Sequence, residues 1–511
     1  MPPTPMPTRC PGLLLCGLLL ASATALGAQN PLYVDPVLGV DQPGGGGPVT
    51  PFKTLTYALT QVPSTSAGRI HLRPGTYSTL SGEVFPIAVP SQCTIESDPA
   101  LVPAGARLAV LDTPYTAQSA LELVTTSVRT TTLRNLRIQG RMLIGVELSV
   151  RATATLATLT IEDCEIAEQR PLEVNVLGNA KAVVTVLRSR LNGVDSPIAI
   201  HTRNVAGATA ELQVERSVLI HGISAALVLD AKVAGTIRAT LRATQVRSGV
   251  RYGLLAVSGN GGAIQTRLEH CLFHDHGNNV VGGGISNGAI FDRIEAGGLA
   301  PTHVVVNSIF AKNMTDAAAG ANPSYTWGRN VVKQASLGNL GGNVVGAPTF
   351  AKAAENDFHL APTSLGVDLG LAVDTTLADD FDGKPRLSAF AGAAPDLGPD
   401  EVFLGATFTS DGARVGQPFA LRTSWSANAP FAFFLGTDAV PGSFGAGKVH
   451  LAGQIFATGM QGTCAASGVG EAVLTLPNDP ALAGLIVHWQ SVSAQAPYLG
   501  GNSKRSLVLL P

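Results

Sequence analysis

The chain has 511 residues, a formal net charge of −2, only 14% charged residues, 57 glycines and 33 prolines. That length allows two or three domains around a large core. Few charges and many turn residues favour all-β architecture over helical bundles, and the near-neutral balance excludes both a basic nucleic-acid footprint and a strong steering field.

Arg9 precedes the apolar run Leu13–Leu20 and the small-residue stretch ASATALGAQN. This order reads as a secretory signal peptide over residues 1–28, cleaved between Ala25 and Gln29, and it implies a secreted, extracellular or cell-surface protein. The run is too short to cross a bilayer and no later stretch is longer, so no membrane span is expected. Cys16 follows three leucines instead of a small residue, which argues against lipidation. Cleavage removes Cys10 and Cys16 and leaves Cys93, Cys164, Cys271 and Cys464, too few for a disulfide framework in so long a chain.

Pro51 can start a helix, in which Phe52, Leu55, Leu59 and Val62 form one apolar stripe. Such a helix would cover the exposed end of stacked strands. Pro74-Gly75 then breaks the strand Arg69–Arg73 and starts the next turn.

A long-period repeat follows, with the pattern apolar–x–corner–small–x–apolar. Its fourth position falls at Leu136, Cys164, Ser189, Ser217, Thr244, Cys271 and Ser308, so successive differences are 28, 25, 28, 27, 27 and 37. The last step contains an insertion of about ten residues around GGGISNGAIF. Strand side chains alternate with period two, so apolar ends five positions apart face the same interior only if a corner absorbs one residue. The corner position holds Asn135, Asp163, Arg188, Arg216, Ala243, His270 and Asn307, and Asn and Asp tolerate the left-handed backbone of a sharp bend. Coils of this length are rungs of a right-handed, single-stranded parallel β-helix, since one rung alone cannot bury its apolar face. Cys164 and Cys271 then lie four rungs apart, roughly 19 Å at about 4.8 Å per rung, well beyond disulfide reach of about 7 Å. They are expected to be free, buried thiols. The β-helix is expected over residues 29–401, capped by the N-terminal helix. Residues 402–511 read as short strands of a small β-sandwich, whose core would take Trp425, Phe431, Phe433, Phe434 and Trp489, a sugar-stacking platform being the less favoured alternative.

The opening elements Tyr33-Val34-Asp35, Pro51-Phe52-Lys53-Thr54, Pro74-Gly75-Thr76-Tyr77 and Glu83-Val84-Phe85-Pro86 resemble the first module of pectin-lyase-like β-helix proteins of a domain-of-unknown-function type. Asp380, Asp382, Gly383, Arg386, Asp396 and Gly398 resemble the closing segment of secreted β-helix proteins, and LPNDPALAGLIVHWQ resembles a C-terminal module of large secreted bacterial proteins. In the closing segment, short acids and Arg386 are expected to satisfy backbone groups at the last rung. The resemblance specifies a fold and names no activity. Enzymes of this fold act on acidic polysaccharides in a groove along the outer face, which a hydrolase lines with paired carboxylates and a lyase with a base and an acidic calcium cluster.

Neither set is evident: between Gln169 and Leu268 no two of Glu173, Asp195, Glu211, Glu215 and Asp230 are adjacent. This weighs against catalysis and leaves a secreted β-helix protein that binds extracellular polysaccharide or forms part of the cell surface, with no cofactor required. The alternative is a polysaccharide lyase or glycoside hydrolase acting on uronate-containing polysaccharide. Its most plausible location is near Arg247–Asn279, which includes the stretch EHCLFHDHGNN, Glu269–Asn279. His274 is expected to face outward and His276 to share that face if the strand stays extended. Arg247, Arg251, His274 and Asp275 are therefore the catalytic candidates. His274 and His276, or Asp380 and Asp382, are the metal candidates, calcium being the ion for the aspartates.

Overall fold

The computed structural model describes residues 30–371, apart from 64–66, 103–108, 116–117, 126–127, 141, 152–155, 204–205, 222, 278–287, 320–323, 362–363 and 368. It also describes 380–382 and 395–400, and the strands between 407 and 508. The proposed signal peptide, Gly383, Arg386, Trp425 and Cys464 lie outside the described residues.

The chain winds as a parallel β-helix. Among the described residues its three sheets contain 11, 11 and 9 strands, and each strand pairs in parallel with those one coil before and after it. The chain leaves the first sheet (Leu32–Val34 to Ser324–Gly328) through a tight corner into the second (Gly75–Tyr77 to Val344–Val345), then enters the third (Ile87–Ala88 to Ala317–Ala319). Beyond the corner, Arg137, Glu165, Arg190, Val218, Gln245, Leu272 and Ile309 are paired neighbours, so the register reproduces the repeat spacing.

All seven proposed corner residues have positive φ, from 44° at Arg188 and Ala243 to 54° at Asn135. An eighth coil, Trp327–Val332, turns at Arg329 with φ 43°. The residue after each of these seven corners is buried, and all but Leu136 are small. The hydroxyls there also have a specific task. Ser189 Oγ accepts from the Cys164 N–H at 3.0 Å, Ser217 Oγ from the Ser189 N–H at 3.1 Å, and Ser308 Oγ from the Cys271 N–H at 3.1 Å. Ser189 and Ser217 also donate to carbonyls two residues back, at 2.7 and 2.8 Å. The left-handed corner diverts the N–H of the residue after it from the sheet ladder, and the inward hydroxyl of the next coil satisfies that group instead. Cys164 and Cys271 are free and buried, and their thiols point to the equivalent carbonyls at 3.3 and 3.4 Å.

Just before the corner, Leu133, Ile161, Val186, Val214, Leu241, Leu268, Val305 and Trp327 stack in register as one buried column. Each such aliphatic side chain contributes roughly 1.5–3 kcal/mol of burial. Outside, the next row alternates charge: Arg134 bridges Glu96 at 3.2 Å and Glu162 at 2.7 Å, and Arg242 reaches Glu269 at 2.8 Å.

The N-terminal helix is shorter than the apolar stripe suggests, Leu55–Thr60 with Thr54 as N-cap. Phe52 instead bridges to Val34, and Pro51 lies outside the helix. The start is fixed by Glu83, whose carboxylate accepts from the Leu55 and Thr56 N–H groups at 2.6 and 2.9 Å. Within the proposed insertion, Gly288–Ile294 is a regular third-sheet strand, and residues 278–287 lie outside the described residues.

The closing segment reaches the last coil, where Leu397 belongs to the same buried cluster as Val331. It docks sideways on two corners: His270 Nδ1 donates to the Asp396 carbonyl at 3.1 Å, Asn307 brackets the Leu371 backbone, and the Gly398 N–H donates to the Asn307 carbonyl at 2.6 Å. The C-terminal region contains antiparallel sheets of three and four strands and a two-stranded hairpin, the composition of a β-sandwich. Phe431 and Phe433 are buried there, with rings 5.4 Å apart, as core residues.

Candidate functional site

One outward row of the second sheet links every region of interest. Asp112, Gln139, Ala167, Asn192, Ile220, Arg247, His274 and Ala311 are successive paired neighbours along it. The two ends of the row have opposite fates.

The C-terminal end is covered. An antiparallel hairpin, Phe350–Lys352 with Asp357–Leu360, lies over it, and Phe358 and Leu360 pack on Leu272, Ile309, Ala311 and Val331. The Phe358 ring lies 5.0 Å from the Arg247 guanidinium carbon and 4.5 Å from the His274 ring, and Arg247 Nη1 donates to the Asn356 carbonyl at 3.0 Å. His274 therefore does not face solvent. Burial, with repulsion from Lys312, brings its pKa down to about 4, and burial lowers that of Arg247 to about 10. The strand also fails to stay extended: Asp275 has φ 64°, and this bend turns His276 into the interior. There His276 is fully buried, Nε2 donates to the Val246 carbonyl at 3.1 Å, and burial holds its pKa near 4. His274 and His276 thus share no face that could chelate a metal. Of the four catalytic candidates, Arg251 alone is exposed, Asp275 occupies the bend, and Arg247 and His274 are closed off by the hairpin.

The N-terminal end is open. A cleft of about 410 Å³ is lined by Asp112, Thr113, Tyr115, Gln139, Gly140 and Ala167. Tyr115 is 72% exposed and presents its ring at the rim. Gly140 has φ 151°, and a Cβ there would lie 2.1 Å from Thr113 Oγ1, so only glycine lets these two coils approach closely. Behind the wall, Glu168 is buried and accepts from the Thr113 hydroxyl and the Met142 N–H, both at 2.8 Å. Burial, aided by the Asp112 charge and opposed by the two hydrogen bonds, raises its carboxyl pKa to about 7.

The same coils carry a second feature on the third sheet. Glu122, Glu147 and Glu173 stand in register on its outer face, each half-buried. Arg170 holds Glu173 at 3.0 Å, and Ser149 and Asn175 donate to Glu147 and Glu173 at 3.2 and 3.1 Å. Like charges in register oppose stability, and the first sheet avoids them by alternating sign. Sequence neighbours do not reveal this row. The spacings 122 to 147 and 147 to 173 would have, because they equal one coil each.

Asp380 and Asp382 differ in their surroundings. Asp380 is fully buried, whereas Asp382 joins His359 and Asp400 in a group whose ligand atoms lie within 4.8 Å of one another. His359 Nε2 is 2.9 Å from Asp382 and 3.6 Å from Asp400, and Nδ1 faces Asp357. The hydrogen bond to Asp382 and the surrounding carboxylates raise the His359 pKa to about 10 despite partial burial.

Among the described residues no helix is long and apolar enough to cross a membrane. No curated protein matches the chain. Residues 37–167 match a family described as "Protein of unknown function (DUF1565)", and that matched stretch contains every residue lining the cleft.

Proposed function

We propose that this is an extracellular β-helix protein that binds polysaccharide through the cleft at Asp112, Tyr115 and Gln139. The observation that carries the reading is the open cleft itself. It combines a stacking ring with a carboxylate and an amide, groups that recognise a sugar's apolar face and hydroxyls. The leader-like run Leu13–Leu20 supports export. Asp112 and the carboxylate row on the same coils favour neutral or amino-sugar glycans and disfavour polyuronates, which they repel. Electrophoresis through gels containing neutral, amino-sugar or uronate polysaccharides tests this. Retardation by a neutral or amino-sugar glycan, abolished by Tyr115→Ala, is expected. Unretarded migration in every gel, or unchanged retardation of Tyr115→Ala, defeats the reading.

A second reading is glycosidic cleavage in the same cleft, with Asp112 on its wall and Glu168, whose carboxyl pKa is raised, one layer behind Thr113, so that Thr113 must move aside for Glu168 to reach a substrate. A general acid needs a proton near neutral pH and a partner that stays ionised. Release of reducing ends or unsaturated products that disappears in both Glu168→Gln and Asp112→Asn would establish cleavage. Binding without product release leaves the first reading.

A further inference from the structure

His359, Asp382 and Asp400 come from three separate segments: the strand Asp357–Leu360, residues 380–382 and residues 395–400. The two imidazole nitrogens have different surroundings. Nδ1 faces the Asp357 carboxylate, while Nε2 faces Asp382 Oδ2 at 2.9 Å and Asp400 Oδ2 at 3.6 Å. One Nε2 atom directs at most one hydrogen, yet two carboxylates converge on it.

The spacing fits a common metal ligand set. Atoms bound to one zinc-like ion at about 2.0–2.2 Å stand about 2.8–3.6 Å apart, the edge length of an octahedron or tetrahedron. Both observed separations fall at that length, so an ion can enter with small side-chain movements. Asp357 holds the second nitrogen, so an ion that displaces the Nε2 proton now shared with Asp382 meets an Nε2 lone pair already in the right tautomer. His359 and Asp382 keep 40% and 34% side-chain exposure and Asp400 keeps 5%, which gives one buried anchor and an open approach. Because one ligand is a nitrogen, this is more than a cluster of acids.

We infer that His359 Nε2, Asp382 and Asp400 form a binding site for a divalent transition ion of the zinc or manganese class. Calcium, the ion expected for Asp380 and Asp382, takes oxygen ligands at longer distances and is disfavoured by the imidazole. The ion would clamp the segments around residues 382 and 400 to the hairpin that covers Arg247 and His274. It touches no cleft residue, so the inference is independent of the proposed glycan site.

The test uses the full chain, depleted with a chelator and desalted, then titrated separately with zinc, manganese and calcium at neutral pH. Bound metal is counted by elemental analysis, and thermal unfolding is followed in parallel. Saturable binding of zinc or manganese at one ion per chain is expected, with a rise in Tm. Affinity should fall at least tenfold in His359→Gln and Asp382→Asn. Asp382→Asn keeps the test decisive if the His359 variant fails to fold, since Asp382 is half-exposed. Absence of saturable zinc and manganese binding overturns the inference. So does preference for calcium, or equal binding by Asp382→Asn.

Discussion

Glu168 changes its contribution to stability across the neutral range. Its carboxyl is buried, and its pKa is raised from 4.5 to about 7. Between these values the folded protein holds a proton that the unfolded chain has released. Stability conferred by this group is therefore present below pH 4.5 and is lost as pH rises through 7. The full loss is on the order of 3 kcal/mol. Gln cannot titrate, and its amide can still accept from Met142 and donate to the Thr113 oxygen. Urea unfolding of Glu168→Gln against wild type should show the variant gaining relative stability from pH 4.5 to pH 8, and a constant difference would refute the assignment. Asn307 is a second single-residue case. It adopts φ 52°, is fully buried, and both exchanges of its amide with Leu371 are 2.8 Å long. Asn307→Ala loses the left-handed preference and both bonds, so a loss of about 3 kcal/mol is expected in the same assay.

At the scale of the coil, the hydroxyl column behind the corners is the distinctive device. Ser217 Oγ both accepts the Ser189 N–H and donates to the Glu215 carbonyl. Ser217→Val fills the space but leaves the buried Ser189 N–H unpaired, while the Glu215 carbonyl keeps the Arg188 N–H, so a cost of about 1–3 kcal/mol is expected. Ser217→Cys should cost under about 1 kcal/mol, because Cys164 and Cys271 already fill equivalent positions. Equal losses for the two variants, measured by thermal unfolding, would show that volume alone matters there. The corners were legible in the sequence because period-two alternation must break once per coil, and the small residue marks the break. The coil at Asn330 escaped notice because asparagine replaces the small residue and the spacing shrinks to 22 from Ser308 to Asn330. The fate of His274 and His276 was not legible. One depends on a bend at Asp275, and the other on a hairpin contributed from more than seventy residues downstream in the sequence. Local periodicity contains neither. The cleft escaped for a similar reason, since Asp112, Gln139 and Ala167 become neighbours only through stacking.

Across the whole molecule, the closing hairpin divides the outer face into a sealed half and an open half. Phe358 is the keystone of the sealed half, in contact with Arg247, His274 and the apolar row below. Phe358→Ala should lose about 3–5 kcal/mol and bind more of an apolar dye, while glycan retardation stays at the wild-type level. Loss of retardation in that variant would tie binding to the sealed half. The carboxylate row Glu122–Glu147–Glu173 and the cleft lie on the same open coils, which makes that half the part of the fold least explained by stability.

The central claim is that function resides in the open cleft and not in the histidine-rich coil. The most direct measurement compares glycan-gel retardation of Tyr115→Ala and His274→Ala, each verified as folded by circular dichroism. The account predicts that Tyr115→Ala migrates freely and His274→Ala is retarded like wild type. Retention of binding by Tyr115→Ala together with its loss in His274→Ala would contradict it.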